Sequence, residues 1–417
     1  MKLKAAYLCA LLPAAALGVF QATKSLAVPA FARREGAKCQ MCHLRLPELN
    51  EDGHSYIRRG LREERGGMAS GMEKSHAGNE PAMPRGMDMG EGAKETASLP
   101  VASIERPLGE PLPFEWQNYF TVMGHHMLEA RNHTKTGFRS GTIDGWIGGP
   151  LDAHWSGLAN LAFDIEGGGV GVEQAYAQYN SSWSPRFVSA RFGQLLPFAI
   201  LFNGGGAAMP LSTPVVLETP SGTRNPWAPA TLIRGLELGA VNLPRWNAYV
   251  GAGQPQLEGI AGESHTDVYA SAEYLVGDKG NAISVFGYRG EIPSSPSQVP
   301  VEFERGAFFA NVYAAKAKGV AGLLWGSDRA AGSPSLSTNG GFLLGEYLPA
   351  DQWAAYGRYD YARSEVPTGD AETTDGPTLG VSFWAQTQVR LTFETQFLKH
   401  ADLSRDRTAM VEVMWVF

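Results

Sequence analysis

Alternating runs of apolar and polar residues, about 16 in number, fill the sequence between residues 114 and 417. In each run one side is apolar or aromatic and the other is polar or small. This is the pattern of strands that face lipid on one side and a barrel lumen on the other. Clear examples lie at residues 173–179, 267–274 and 389–398.

The connections between these runs alternate in length, as they do in bacterial outer-membrane barrels. Short turns lie near residues 149–150, 181–184, 242–245, 277–280, 315–318, 348–351 and 385–386. Long loops lie near residues 125–140, 194–230, 255–266, 290–304, 327–339 and 364–377. The last run ends in Phe417, which resembles the C-terminal signature of outer-membrane proteins. The sequence therefore predicts an antiparallel β-barrel of about 16 strands over residues 114–417, with a secreted β-sandwich as the alternative.

Composition supports a strand-rich, exported chain. Charged residues make up 18% of the sequence, below the roughly 25% of soluble domains, and 50 residues are glycine. The net charge of −7 argues against nucleic acid as a partner. After residue 30 there is no run of 18 apolar residues, so we expect any membrane crossing to use strands in contact with outer-membrane lipid.

The first 27 residues have the pattern of a secretory signal peptide. Lys2 and Lys4 precede an apolar run, and small residues end at Ala27. An uncleaved anchor is the alternative. We expect export to the cell envelope, with residues 28–65 as the first mature domain.

A C-x-x-C-H motif at residues 39–43 predicts one covalently attached haem c. Cys39 and Cys42 would each add to a vinyl group of the haem, and His43 would bind the iron as the proximal ligand. A thioredoxin-like redox pair is the alternative, but the βαβ context of such a pair is missing. Residues 28–65 are therefore predicted to form a small α-helical cytochrome c domain.

The sequence does not decide which residue is the second axial ligand of the haem iron. His54 is the first candidate, because it lies 11 residues after His43 on the next predicted helix. The alternatives are a methionine such as Met68, Met72 or Met83, or an open site. These methionines belong to residues 66–113, a Met-, Gly- and Pro-rich segment predicted to be a flexible linker. A copper-binding role for its methionines and His76 is the alternative.

Three histidines near the first predicted strand form a candidate metal site. His125 and His126 are adjacent, and His133 follows seven residues after His126. If the strand runs outward, they lie at the external rim and bind a divalent metal. A polar loop without a ligand is the alternative.

The N-terminal motifs also carry a family resemblance. They comprise residues 29–33, Cys39, Cys42, His43, residues 46–49, Gly53, Tyr56, Arg58 and Gly60. This pattern resembles the fused monohaem cytochrome–porins of the bacterial outer membrane, which include ferrous-iron oxidases. The resemblance implies a 16-stranded barrel whose haem domain is periplasmic or plugs the lumen. The sequence departs from the family at residues 34–35 and 52–54.

The function expected from this resemblance is electron transfer through one haem. The electron would pass between an extracellular donor, Fe(II), and a periplasmic cytochrome, and whether the chain is itself a ferrous-iron oxidase is left open. One alternative is a solute porin with a structural or sensory haem, in which the long loop at residues 194–230 folds inward and narrows the lumen. A copper-handling outer-membrane protein is the other alternative.

Overall fold

The computed structural model describes most of the predicted barrel and part of the segment that precedes it. The described residues are 30–35, 42–45, 48–61, 119–132, 137–139, 141–164, 169–182, 186–205, 210–218, 225, 227–242, 245–257, 265–277, 281–292, 300–365, 371–400 and 405–416. The predicted signal peptide, Cys39, the 66–113 linker, His133 and Phe417 lie outside them.

Before the barrel, the described chain forms two helices and a small hairpin. These are α1 (Ala30–Glu35), β1 (His43–Arg45), β2 (Glu48–Leu49) and α2 (Glu51–Arg58). Helix α2 matches the helical pattern predicted for this stretch. No helix in the described part of the chain combines the length and apolarity needed to span a membrane.

The barrel wall consists of long antiparallel segments joined in sequence order. They are β3 (Phe120–Arg131), β4 (Gly137–Arg139), β5 (Thr142–Pro150), β6 (Trp155–Asp164), β7 (Val170–Asn180), β8 (Phe187–Leu195), β9 (Ile233–Val241), β10 (Trp246–Pro255), β11 (Asp267–Val276), β12 (Asn281–Ile292), β13 (Val301–Ala314), β14 (Ala317–Ala330), β15 (Leu336–Ala350), β16 (Trp353–Glu365), β17 (Ala371–Gln386), β18 (Val389–His400) and β19 (Arg405–Val416).

The last strand closes the barrel by pairing with the first. Strand β19 runs antiparallel to β3, with Met414 opposite His125 and Val416 opposite Met123. Both β4 and β5 pair with β3, so the 17 segments occupy 16 strand positions. The predicted 16-stranded antiparallel barrel is confirmed.

The outer face of the barrel is apolar. Leu323, Leu343 and Val250, for example, point outward from mid-strand and are more than half exposed. Trp155, Trp246 and Trp353 each begin the strand that follows a short turn. An apolar band with aromatic residues at its edge is the surface that a lipid bilayer covers.

The lumen contains a segment that folds in from the long-loop end. This inner loop, residues 196–232, connects β8 to β9 and includes α3 (Phe198–Ile200), a π-helical turn (Leu201–Gly205) and α4 (Val215–Glu218). Ile200 and Leu217 are fully buried and pack in one cluster with lumen-facing wall residues such as Phe309 and Phe342. The inward loop that was expected only under the solute-porin alternative is therefore present, and it places apolar side chains inside the lumen.

Placing a charge on the lipid face tests this orientation. Leu343 lies at the centre of β15 and is 65% exposed. We expect Leu343→Arg to lower the free energy of unfolding in lipid vesicles by about 2–4 kcal/mol, because a midplane arginine is poorly solvated by lipid. Leu151→Arg, at a short turn, should cost at most about 1 kcal/mol. Equal costs measured by urea unfolding would contradict the orientation.

Candidate functional site

The described part of residues 30–61, called here the N-terminal plug, lies against the inside of the barrel at its short-turn end. The backbone N–H of Ala30 donates to Thr121 Oγ1 at 2.8 Å, and Arg34 Nη1 donates to the Gly148 carbonyl at 3.1 Å. Thr121 and Gly148 lie within two residues of the short-turn ends of β3 and β5. The plug therefore enters the lumen from the side of the short turns.

Two buried ion pairs attach the plug to the barrel wall. Lys318 pairs with Glu48, and Glu273 pairs with Arg58. Glu48 is 1% exposed and Arg58 is 5% exposed. Removing one partner of such a pair costs about 3–5 kcal/mol, because the remaining charge stays buried. The two pairs thus hold the plug to wall strands β14 and β11.

Further hydrogen bonds position the end of α2. Gln178 Nε2 donates to the Arg58 carbonyl at 2.6 Å. Arg34 Nη2 donates to the Tyr56 hydroxyl at 2.5 Å and to the Leu61 carbonyl at 2.6 Å. These contacts connect both helices of the plug with each other and with β7.

The segment that carries Cys42 and His43, where β1 begins, is packed directly against the start of α2. Asn50 caps α2, with its Oδ1 accepting from Gly53 N at 2.9 Å, and its own N–H donates to the Cys42 carbonyl at 3.0 Å. A Cβ at Gly53 would collide with the Cys42 carbonyl oxygen. Only glycine fits there, and the close approach fixes α2 beside the C-x-x-C-H motif.

His54 lies on α2 at the tip of the plug. Its ring stacks on Phe202 of the inner loop, with centroids 4.4 Å apart. Burial lowers the pKa of His54 well below its usual value of 6.5, and the positive charges of Arg58 and Lys318 lower it further, as does nearby His43. His54 is therefore a neutral imidazole at pH 7, the form in which histidine binds metals.

The plug and the inner loop meet in the middle of the lumen. The Arg58 guanidinium lies 4.5 Å from the centroid of the Phe202 ring, which stacks on Phe198 at 5.2 Å. Phe198 in turn contacts the wall at Tyr249, also at 5.2 Å. The cavity between them has a volume of about 10 Å³, room for about one water molecule. The plug, the inner loop and the wall are therefore closely packed around this cavity.

The predicted haem-site residues are partly described. Cys42 and His43 are half-buried in the plug, and His54 lies near His43. Cys39 lies outside the described residues.

The three histidines predicted as a rim site are not brought together where the structure describes them. Strand β3 continues to Arg131, so His125 and His126 lie in mid-strand and not at the rim. Because neighbouring residues of a strand face opposite sides, His125 points into the lumen while His126 is exposed on the outer face. His133 lies outside the described residues. Within the described chain, no three His, Cys, Asp or Glu side chains form a group suited to holding a metal ion.

Sequence reasoning missed the charged residues that hold the plug. Glu48 and Lys318 are 270 residues apart, and Arg58 and Glu273 are 215 apart. The alternation of β14 does place Lys318 on the lumen side. The alternation therefore predicts a charged side chain in the lumen, but it does not identify the residue that pairs with it.

Comparison with known proteins supports the fold and gives no family. No protein-family model matches the chain, and no curated protein matches it. Among solved structures, OmpT of Vibrio cholerae, in a variant lacking loop L8, is 14% identical and has a TM-score of 0.56. The match covers 72% of this chain and 98% of that one.

Two further solved structures are similar to the same extent. An anion-selective porin from Comamonas acidovorans is 12% identical over 72% of this chain and 98% of its own, with a TM-score of 0.56. OmpF of Salmonella typhi is 12% identical over 72% of this chain and 96% of its own, with a TM-score of 0.51. The chain therefore has the fold of outer-membrane porin barrels.

Proposed function

We propose that this protein resides in the outer membrane and transfers electrons across it through one haem c in the N-terminal plug. The observation that carries the proposal is the location of the plug. The half of the C-x-x-C-H motif that the structure describes, Cys42 and His43, belongs to a segment held inside the barrel by buried ion pairs. A hydrocarbon core of roughly 30 Å is too thick for electron transfer without a cofactor inside it.

The donor set suits haem attachment. Cys42 and His43 are adjacent and half-buried, and Cys39 precedes Cys42 at the spacing of the c-type motif. A neutral imidazole at His54, next to His43, is the form required of a distal ligand. The haem would supply one-electron chemistry, accepting an electron and passing it on. Cys39 and Cys42 would hold it, His43 would bind the iron, and His54 is the candidate for the distal position.

The surrounding residues have two roles in this proposal. Gly53 and Asn50 hold α2 against the segment of Cys42 and His43, and this contact would keep the orientation of His43 fixed. Phe202 and Phe198 cover the plug from the other side and exclude water from the middle of the lumen. The barrel would then carry electrons without opening a path for solutes.

The donor and acceptor follow from the family resemblance. We propose Fe(II) as the external donor and a periplasmic cytochrome as the acceptor, since the plug enters from the short-turn end, which faces the periplasm in outer-membrane barrels.

Solute transport is the second candidate function, because the fold is shared with an anion-selective porin. Two lumen-facing arginines argue against anion selectivity. Arg191 bonds Glu237 at 2.9 Å, and Arg358 bonds Asp360 at 2.7 Å, so these charges are already neutralised by wall carboxylates. A porin that selects anions needs cationic groups that a solute can reach.

Stopped-flow mixing with Fe(II) tests the proposed function. We expect purified, haem-loaded protein in its ferric form to develop the absorbance of ferrous haem at a rate that rises with Fe(II) concentration. His54→Met provides the comparison, because it changes the candidate distal ligand and keeps a side chain able to bind iron. Ferric haem that remains oxidised at every Fe(II) concentration would rule out Fe(II) as the donor.

A further inference from the structure

The seam where the barrel closes carries an unusual set of lumen-facing side chains. All four methionines that the structure describes lie here, two on β3 and two on β19, and each points into the lumen. The seam set consists of Met123, His125 and Met127 on β3 and Met410, Glu412 and Met414 on β19. Leucine or valine could pack at these positions equally well. The presence of four thioethers beside a histidine therefore suggests a chemical role for the sulfur atoms.

Glu412 fixes which nitrogen of His125 is available. His125 Nδ1 lies 2.8 Å from Glu412 Oε1, while Arg390 Nη2 donates to Glu412 Oε2 at 2.8 Å. An ionised carboxylate only accepts hydrogen bonds, so Nδ1 carries the proton and donates it. When the ring carries only this proton, its lone pair is on Nε2. A carboxylate that holds a histidine in this way is the usual support of a metal-binding histidine.

Asp144, on β5, faces this nitrogen. Its Oδ2 is 3.6 Å from His125 Nε2, which is too long for a hydrogen bond. Asp144 is 5% exposed. Its Oδ1 is buried without a hydrogen-bond partner, while Thr142 donates to the same carboxyl group. Two acceptors that face each other in a buried place repel each other unless a proton or a metal ion lies between them. At 3.6 Å the two atoms are too far apart to share a proton in a hydrogen bond, whereas a metal ion fits between them. An ion bound to both at about 2.1 Å, with an angle of about 120°, separates nitrogen and oxygen by about 3.6 Å.

Thioethers border the same place. Met123 lies directly across from Asp144 on the paired strand and packs against the buried cluster of Met414 and Val416. Met414 is directly opposite His125 in the β3–β19 register. Thioether sulfur favours Cu(I), and imidazole suits copper as well. Mg²⁺ and Ca²⁺ prefer oxygen-only sites, so the sulfur content argues against them.

We propose that the barrel seam binds one Cu(I) ion through His125 Nε2, Asp144 and the thioethers of Met123 and Met414. Glu412 orients the histidine, and the aspartate carboxylate balances the charge of the ion. This site does not involve Cys42, His43 or His54, so it stands or falls independently of the haem. Met127 and Met410 lie further toward the long-loop end of the seam and are not ligands.

Copper titration of the full-length protein in detergent tests the proposal. Ascorbate keeps both copper and haem reduced, N-ethylmaleimide blocks any thiol without haem, and bicinchoninate competes for Cu(I). All variants carry Met68, Met72, Met83, Met87 and Met89 changed to Ser and His76 changed to Asn, so that the preceding Met-rich segment contributes no ligand. In this background we expect one Cu(I) per chain.

The decisive comparison is between two pairs of matched substitutions. Met123→Leu with Met414→Leu should weaken Cu(I) binding at least about tenfold, whereas Met127→Leu with Met410→Leu should leave it unchanged. Both pairs remove two thioethers from the same seam at nearly constant volume. Asp144→Asn, which alters neither sulfur, should weaken binding about 10–100-fold. Equal affinities for the two methionine pairs, unchanged affinity in Asp144→Asn, or no Cu(I) bound in the background protein would each overturn the proposal.

Discussion

Replacing Cys39 and Cys42 together with alanine should give a barrel that carries no covalent haem. Each thiol provides one of the two thioether bonds to the porphyrin, so removing both leaves no covalent attachment. Haem staining of the denatured protein on a gel should fall from full intensity to background. The reduction of haem by Fe(II) should be lost with it.

The matched control replaces the two residues between the thiols. Gln40→Ala with Met41→Ala leaves both cysteines and His43 in place and should keep the haem stain. Folding of each variant is checked by heat-modifiable mobility on the gel, which reports the closed barrel independently of haem. Covalent haem retained in the double cysteine variant would exclude the cytochrome assignment.

Removing the plug and the inner loop together should convert an obstructed barrel into an open pore. The plug enters the lumen from the short-turn end and the inner loop from the long-loop end, and the two meet at His54 and Phe202. A short Gly-Ser link can replace residues 198–230, because Leu195 and Ile233 are paired neighbours in the sheet. We expect deletion of residues 28–61 or replacement of the inner loop alone to raise ion conductance little. The two changes together should raise it from near zero to that of an open 16-stranded channel.

Single-channel recordings in planar bilayers measure this effect. The informative result is that the two changes together raise conductance by more than the sum of their separate effects. We expect this because either the plug or the inner loop alone would still obstruct the lumen. A wild-type protein that already conducts like an open porin would show that the lumen is not closed, and it would favour solute transport over electron transfer.

The barrel could be predicted from the sequence because its signal is local and repeated. Period-two alternation, alternating turn lengths and the terminal strand each depend on residues close together in the chain. Helix α2 was predictable for the same reason, because residues 51–59 have a local helical pattern in which Tyr56 and Ile57 stand beside basic residues. The inward course of the inner loop was anticipated from its length and its Gly and Pro content.

The arrangement of side chains in the lumen depends on which strands become neighbours. The register that sets Met414 opposite His125 joins the two ends of the barrel, and no local pattern specifies it. The histidine prediction shows the same limit. Residues 125–131 contain two histidines, a glutamate and an arginine, so they read as a polar loop. In the structure they continue β3, where alternation separates His125 from His126. Because the lumen is polar, the lumen-facing residues of such a strand are polar too, and its sequence resembles that of a loop.

The central claim is that one electron crosses the outer membrane through the plugged barrel. Its most direct test is a vesicle assay in which the protein is inserted in one orientation, oxidised cytochrome c is enclosed, and Fe(II) is added outside. We expect the wild-type protein to reduce the enclosed cytochrome, with ion leakage no greater than that of protein-free vesicles. We expect no reduction by the Cys39→Ala, Cys42→Ala variant. Equal reduction by the wild type and this variant, or reduction only when the vesicles leak, would contradict it.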